Sequence, residues 1–270
     1  MAKVKDRGEW AMAKAAFITG GASGIGLAVA QSLASDGWLV GLADVNAAGL
    51  EAAKAAIPGA ETYAMDVRDR EAWRAALADF ARKSGGRLDF LFNNAGIAVG
   101  GQLETMSDAD IDRGLSININ GVVNGARAAH DLLRATSGSA MIITSSAAGI
   151  SGNAGMSIYS AGKFAMRGFA EALNAEWGHE GIYVGSLMPS FIDTPLLNHV
   201  TQDSNRNVRE SVRAAGLEIT PVGEVVKTVR HMLDIRKDVH TRVGKTAHRL
   251  WFMQRWLPGT LRKLQGRAFK

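Results

Sequence analysis

The chain has 270 residues, 47% of them apolar and 21% charged, so it can bury a large core and is too hydrophobic for a disordered segment. It holds no cysteine, which excludes disulfides and thiolate chemistry, and its six histidines are too scattered for a helical metal site, so no metal is expected. The formal charge of +5 is uneven: residues 236–270 carry ten Lys/Arg against one Asp, a net +9, which leaves the preceding residues at −4.

No apolar run approaches the roughly 20 residues that cross a bilayer, and the opening MAKVKDRGEWAMAK lacks a signal peptide's apolar stretch. A cytoplasmic location is expected, with residues 1–13 as a loosely ordered leader and Met12 as an alternative start. The first strand is AAFIT (15–19), and a helical pattern follows from Gly24 to about Asp36. WLVGLAD (38–44), a helix around 46–56, TYAMD (62–66), a helix around 69–83 and DFLFNN (89–94) continue the alternation. One long helical region spans about 107–135, AMIITSS (140–146) is the next strand, a helix runs from Ser157 to about His179, and IYVGSLMP (182–189) closes the series. Short apolar runs alternating with helices predict an α/β fold, a doubly wound parallel sheet covered on both faces, in a single domain with a C-terminal helical extension.

In such sheets ligands bind beyond the carboxyl ends of the strands. After the first strand comes Thr19-Gly20-Gly21-Ala22-Ser23-Gly24-Ile25-Gly26, a glycine turn at a helix N-terminus, where a pyrophosphate can approach free N–H groups. A plain glycine-rich turn would look the same in isolation; placement between strand and helix favours a nucleotide. The second strand ends at Asp44, 24 residues after Gly20, where a carboxylate can accept hydrogen bonds from an adenosine ribose and repel a 2′-phosphate. Neither the glycine turn nor Val45 offers a cation to offset that repulsion, so NAD is favoured over NADP. The plainer role for Asp44 is to cap the next helix.

Thr19-Gly-x-x-x-Gly-Ile-Gly26, Asn93-Asn94-Ala95-Gly96, a serine thirteen residues before Tyr159, and Tyr159-x-x-x-Lys163 together resemble the short-chain dehydrogenase/reductase family over about residues 14–195. The resemblance implies a Rossmann-type sheet of order 3-2-1-4-5-6-7 and hydride transfer between a nicotinamide and a carbonyl or alcohol. It places Gly20, Ser23, Gly24, Ile25 and Gly26 at the cofactor, Asp66 and Val67 against adenine, and Asn94, Ala95 and Gly96 beside the central strands. Pro189, Ile192 and Thr194 match the segment that holds the nicotinamide carboxamide. For the catalytic positions Asn118 matches better than Asn120, and Ser146 better than Ser145.

Hydride delivery to a ketone builds negative charge on oxygen, which calls for a proton donor and a second hydrogen bond. Tyr159 can donate, but a free phenol of pKa near 10 is a poor base for the reverse reaction. An ammonium at i+4, Lys163, would stabilise the phenolate. The resemblance also has Lys163 bind the nicotinamide ribose, Ser146 the substrate oxygen, and Asn118 a water linking Lys163 to solvent. Two departures stand out: Gly162 precedes the lysine where serine is usual, and Ser190 follows Pro189 where glycine is usual. If the latter position needs φ > 0, Ser190 strains the loop.

Residues 195–221 fall where the family places a substrate lid, and Met156, Met188, Phe191, Leu196 and Leu197 flank the motifs, so a hydrophobic secondary alcohol or ketone is the expected substrate. The alternatives are an NADP-linked 3-ketoacyl reductase and a non-catalytic dinucleotide-sensing protein. The family's habit implies a homodimer or homotetramer. The basic amphipathic tail, 245–270, is expected to break at Pro258 and to cover the cleft or a neighbouring subunit, with peripheral membrane contact as the second reading and no nucleic-acid partner.

Overall fold

Ala15–Thr19 forms β1 with all five residues buried, and its side chains alternate between two cores: Ala15 and Phe17 on one side of the sheet, Ala16 and Ile18 on the other. A computed structural model describes residues 13–198 and 207–268 of the chain. After β1 come α1 (Gly24–Ser35), β2 (Leu39–Asp44), α2 (Ala47–Ala56), β3 (Glu61–Ala64), α3 (Arg70–Lys83) and β4 (Phe90–Asn93). The second half holds α4 (Asp108–Leu115), α5 (Gly121–Ala135), β5 (Ala140–Thr144), α6 (Ser157–Trp177) and β6 (Tyr183–Pro189). Last come α7 (Val208–Ala214), α8 (Val222–Ile235), β7 (His240–Val243), α9 (Lys245–Trp256) and α10 (Pro258–Ala268).

The seven strands pair in parallel in the order β3-β2-β1-β4-β5-β6-β7, the doubly wound arrangement expected from the sequence. On one face Ile18, Leu42, Phe90 and Phe92 meet α1, α2 and α8; on the other Phe17, Leu91 and Ile143 meet α3, α5 and α6. Trp73 is fully buried and still satisfies its indole, which donates to Val67 O at 3.0 Å. Burying such side chains contributes roughly 1.5–3 kcal/mol each. Because the apolar work is done within the two layers, the strand ends are left free for polar groups.

The helix expected over 107–135 is interrupted: Ser116–Asn120 forms a π turn between α4 and α5. The turn is tied to a distant segment: the Asn118 carboxamide accepts from Ile97 N–H at 3.0 Å and donates to Ile97 O at 2.9 Å, drawing the helix toward the loop after β4. Ser190 does not strain its loop, because among the described residues Arg236 alone of the non-glycines has positive φ. Its N–H donates to Val243 O at 3.0 Å and extends the β6–β7 pairing, which needs only extended backbone.

Residues 1–12 of the expected leader and 199–206 of the expected lid lie outside the described residues. The remainder of that lid contains a short 3-10 turn, Pro195–Asn198, and α7, whose Asn207–Glu210 capping box fixes its start.

Candidate active site

A cleft of about 610 Å³ opens above the carboxyl ends of the central strands. Gly20, Ser23, Gly24 and Ile25 form one wall. Gly20 takes φ +66°, and Gly26 lies beneath the turn, where a Cβ would stand 2.2 Å from Gly20 O. Only glycine permits that closeness, which brings the turn down onto the start of α1. Asn46 and Asp69 cap α2 and α3 through their side chains, whereas Ser23 makes no side-chain cap bond and α1 has no acid in its first turn. The first N–H groups of α1 are therefore left to an anion.

Behind this wall Thr19 joins two strand ends. Its hydroxyl accepts from the N–H groups of Asn94 and Ala95, both at 3.0 Å. The Asn94 amide donates back to Thr19 O at 3.0 Å and accepts from the Thr144 hydroxyl at 3.1 Å, which ties in β5 as well. Asn94, Ala95 and Gly96 line the cleft as a consequence.

Farther along, Asp44 accepts from Ala22 N–H at 3.2 Å and Asn46 N–H at 3.0 Å. Its carboxylate is fixed at the cleft wall with Val45, 71% exposed, beside it. Asp66 and Val67 also line this end, but Asp66 is engaged by the Arg68 guanidinium, with contacts of 2.6–3.0 Å. Those hydrogen bonds hold the Asp66 carboxyl below its ordinary pKa.

The opposite end gathers the polar reactive groups. Ser146 follows β5 in extended backbone and caps the next short turn, its hydroxyl accepting from Ala148 N–H at 3.1 Å, and it shares the cleft lining with Tyr159. Tyr159 and Lys163 rise from the first turns of α6, with the ammonium 5.5 Å from the centre of the phenol ring. Desolvation pushes the Tyr159 hydroxyl above the ordinary phenol value, outweighing the opposing influence of the nearby Ser146 hydroxyl. Burial also lowers Lys163 from 10.5 to about 8, although its Nζ donates to Thr144 O at 2.9 Å. Pro189, Ile192 and Thr194 also line the cleft, and Thr194 lies against the glycine turn, where a Cβ on Gly24 would stand 3.4 Å from its Cβ.

Asn118 does not line the cleft but stands directly behind it. A Cβ on Gly96 would lie 2.8 Å from Asn118 Oδ1 and 3.3 Å from Lys163 Nζ, so the two side chains converge there. Asn120 is exposed, and the Ser145 hydroxyl donates to Lys163 O at 2.7 Å, anchoring the lysine's backbone. Arg68, Ile97, Ile117 and Thr144 also line the cleft, although no motif in the sequence points to them. Thr144 ends a strand and could have been found by position; Ile97 acts through its peptide group and leaves no side-chain signal.

An uncapped helix start, a glycine turn that excludes side chains and a carboxylate at the end of β2 fit a dinucleotide. With a tyrosine and a lysine at the far end, the arrangement is that of an oxidoreductase of the doubly wound class. The chain belongs to the short chain dehydrogenase family, whose model matches residues 14–205. It is 37% identical over 204 residues to levodione reductase of Leifsonia aquatica, covering 72% of this chain and 76% of that one. A crystal structure of levodione reductase superposes with a TM-score of 0.79 at 30% identity, covering 86% of this chain and 96% of the other. A short-chain dehydrogenase/reductase from Burkholderia phymatum, solved in complex with NAD, has a TM-score of 0.75 at 26% identity, covering 85% and 88%.

Proposed function

We propose that this chain interconverts a hydrophobic secondary alcohol and its ketone with NAD(H), and that Tyr159 is the proton donor and acceptor. The observation that carries the proposal is the convergence of Ser146, Tyr159 and the buried Lys163 in one cleft with the glycine turn and Asp44, the Lys163 ammonium 5.5 Å from the centre of the phenol ring. A bound nicotinamide supplies or takes the hydride. Ser146 orients the substrate oxygen, and Tyr159 donates its proton as negative charge develops there. In the reverse direction Tyr159 must lose its proton, and Lys163 opposes the cost of the phenolate by charge. Asn118 holds the Ile97 peptide and with it the wall between Lys163 and the strand ends.

Asp44 supports NAD, because its fixed carboxylate repels a 2′-phosphate and neighbouring Val45 brings no positive charge. Arg68, which could otherwise serve, is paired with Asp66. Ile97, Ile117, Leu196 and Leu197 line the cleft and support an apolar substrate. The assay is turnover of a panel of ketones and alcohols with NADH and NADPH in parallel, with Tyr159→Phe as control. Preference for NADPH would refute the reading of Asp44, and full turnover by the Phe variant would remove Tyr159 from the chemistry.

A further inference from the structure

Helices α9 and α10 are bound to the domain along one side. Ala247 is fully buried, Met253 and Leu261 nearly so, and Leu250 and Trp251 pack with Ala147, Ile150 and Met188. The Trp251 ring lies 5.0 Å from the guanidinium carbons of both Arg167 and Arg242. At the far end Gln265 donates to Ser151 Oγ at 2.7 Å and Gly152 O at 2.6 Å. These contacts fix which side of the pair faces outward.

The outward side is apolar and basic together. Lys245, Arg249, Phe252 and Trp256 are exposed at i, i+4, i+7 and i+11 along α9, which places them in one stripe. Phe252 is 56% exposed and Trp256 64%, and Leu257 and Leu264 continue the apolar exposure at 46% and 44%. Arg255, 5.4 Å from the Trp256 ring, and Arg262 and Lys263 stand among them. From Val239 to Lys270 the sequence has no Asp or Glu.

We infer that the outer stripe of α9, with the adjoining part of α10, docks on an anionic phospholipid surface. Phe252 and Trp256 enter the headgroup boundary while the surrounding arginines and lysines meet lipid phosphates. Charge decides between this partner and a second copy of the chain, because a two-fold contact through this stripe would set Arg249, Arg255, Arg262 and Lys263 against the same four, with no acid from residues 239–270 to offset them. Fold geometry adds a consequence: the tail rests on the Ala147–Gly152 loop that directly follows Ser146, so docking would bring the cleft close to the lipid. The docking inference itself does not depend on the reaction assigned above.

The test is co-sedimentation with vesicles of pure phosphatidylglycerol and of pure phosphatidylcholine, using the full chain, Phe252→Ser/Trp256→Ser and Arg249→Glu/Arg255→Glu. All four positions are exposed, so circular dichroism should be unchanged. The expected result is binding to phosphatidylglycerol and little to phosphatidylcholine, with apparent affinity lowered about tenfold or more in each double variant. Wild type that stays in the supernatant, equal pelleting on both lipids, or double variants that pellet like wild type would each overturn the inference. So would a lipid-free sedimentation coefficient that falls in the Phe252/Trp256 variant while wild type ignores vesicles, since the stripe would then join copies of the chain.

Discussion

Lys163→Met should make the protein inactive and more stable. The ammonium is 4% exposed, and burial lowers its pKa from 10.5 to about 8. Holding that charge at pH 7 therefore costs about 3 kcal/mol relative to the unfolded chain, at about 1.4 kcal/mol per unit. Methionine fills similar volume without charge and forfeits the hydrogen bond to Thr144 O, a loss of about 1 kcal/mol. The expected net gain at pH 7 is about 2 kcal/mol. Its sign depends on pH: between about pH 8 and 10.5 the unfolded wild type binds more protons than the folded form, so wild-type stability rises with pH through that window. The variant has no such group, so its advantage should shrink by about 2 kcal/mol between pH 7 and pH 9.5. Urea unfolding followed by circular dichroism at the two pH values measures both numbers. A variant less stable than wild type at pH 7, with a gap independent of pH, would show that Lys163 bears no desolvation penalty and refute the reasoning.

Tyr159→Phe should lose about 10²–10⁴-fold in turnover and keep NADH binding, as read by quenching of protein fluorescence; a parallel loss of binding would make the defect structural. In the free protein the Tyr159 phenolate should appear only above the ordinary phenol range, and NAD⁺ should bring it down, which ultraviolet difference absorbance against the Phe variant follows; titration near neutrality without NAD⁺ contradicts the burial effect. Asp44→Ala should raise the ratio of kcat/KM for NADPH over NADH by about tenfold or more, and an unchanged ratio would assign the carboxylate to the Ala22 and Asn46 N–H groups alone. Gly26→Ala should weaken NADH binding and cost about 1–3 kcal/mol in stability, because its Cβ would meet Gly20 O at 2.2 Å; unaltered binding would mean the turn can move away at little cost.

Much of this fold is legible in short apolar runs. AAFIT coincides with β1, and DFLFNN contains β4, because strands buried on both faces must be apolar at every position. His240–Val243 was not recognisable as β7, since an edge strand with half-exposed His, Thr and Arg carries no such pattern. The break at Ser116–Asn120 was also hidden: SININ carries neither glycine nor proline, and the cause lies in a peptide group some twenty residues away. Cleft residues were visible where side-chain chemistry singles them out, as with Tyr159 and Asp44. The Thr144 carbonyl at Lys163 depends on how the end of β5 meets α6, which no local spacing encodes.

The π turn also has a bearing on how the chain can vary in length. A wide turn is a helix carrying one surplus residue, and each residue turns an α-helix by about 100°. The apolar face of α5 therefore meets α3 and the sheet in a phase set by that single residue. A one-residue deletion anywhere in Ser116–Asn120 would restore an unbroken helix and rotate either α4 or α5 off its packing surface. Substitutions there are local events, whereas a gap or insertion is a rotation of half the helix layer.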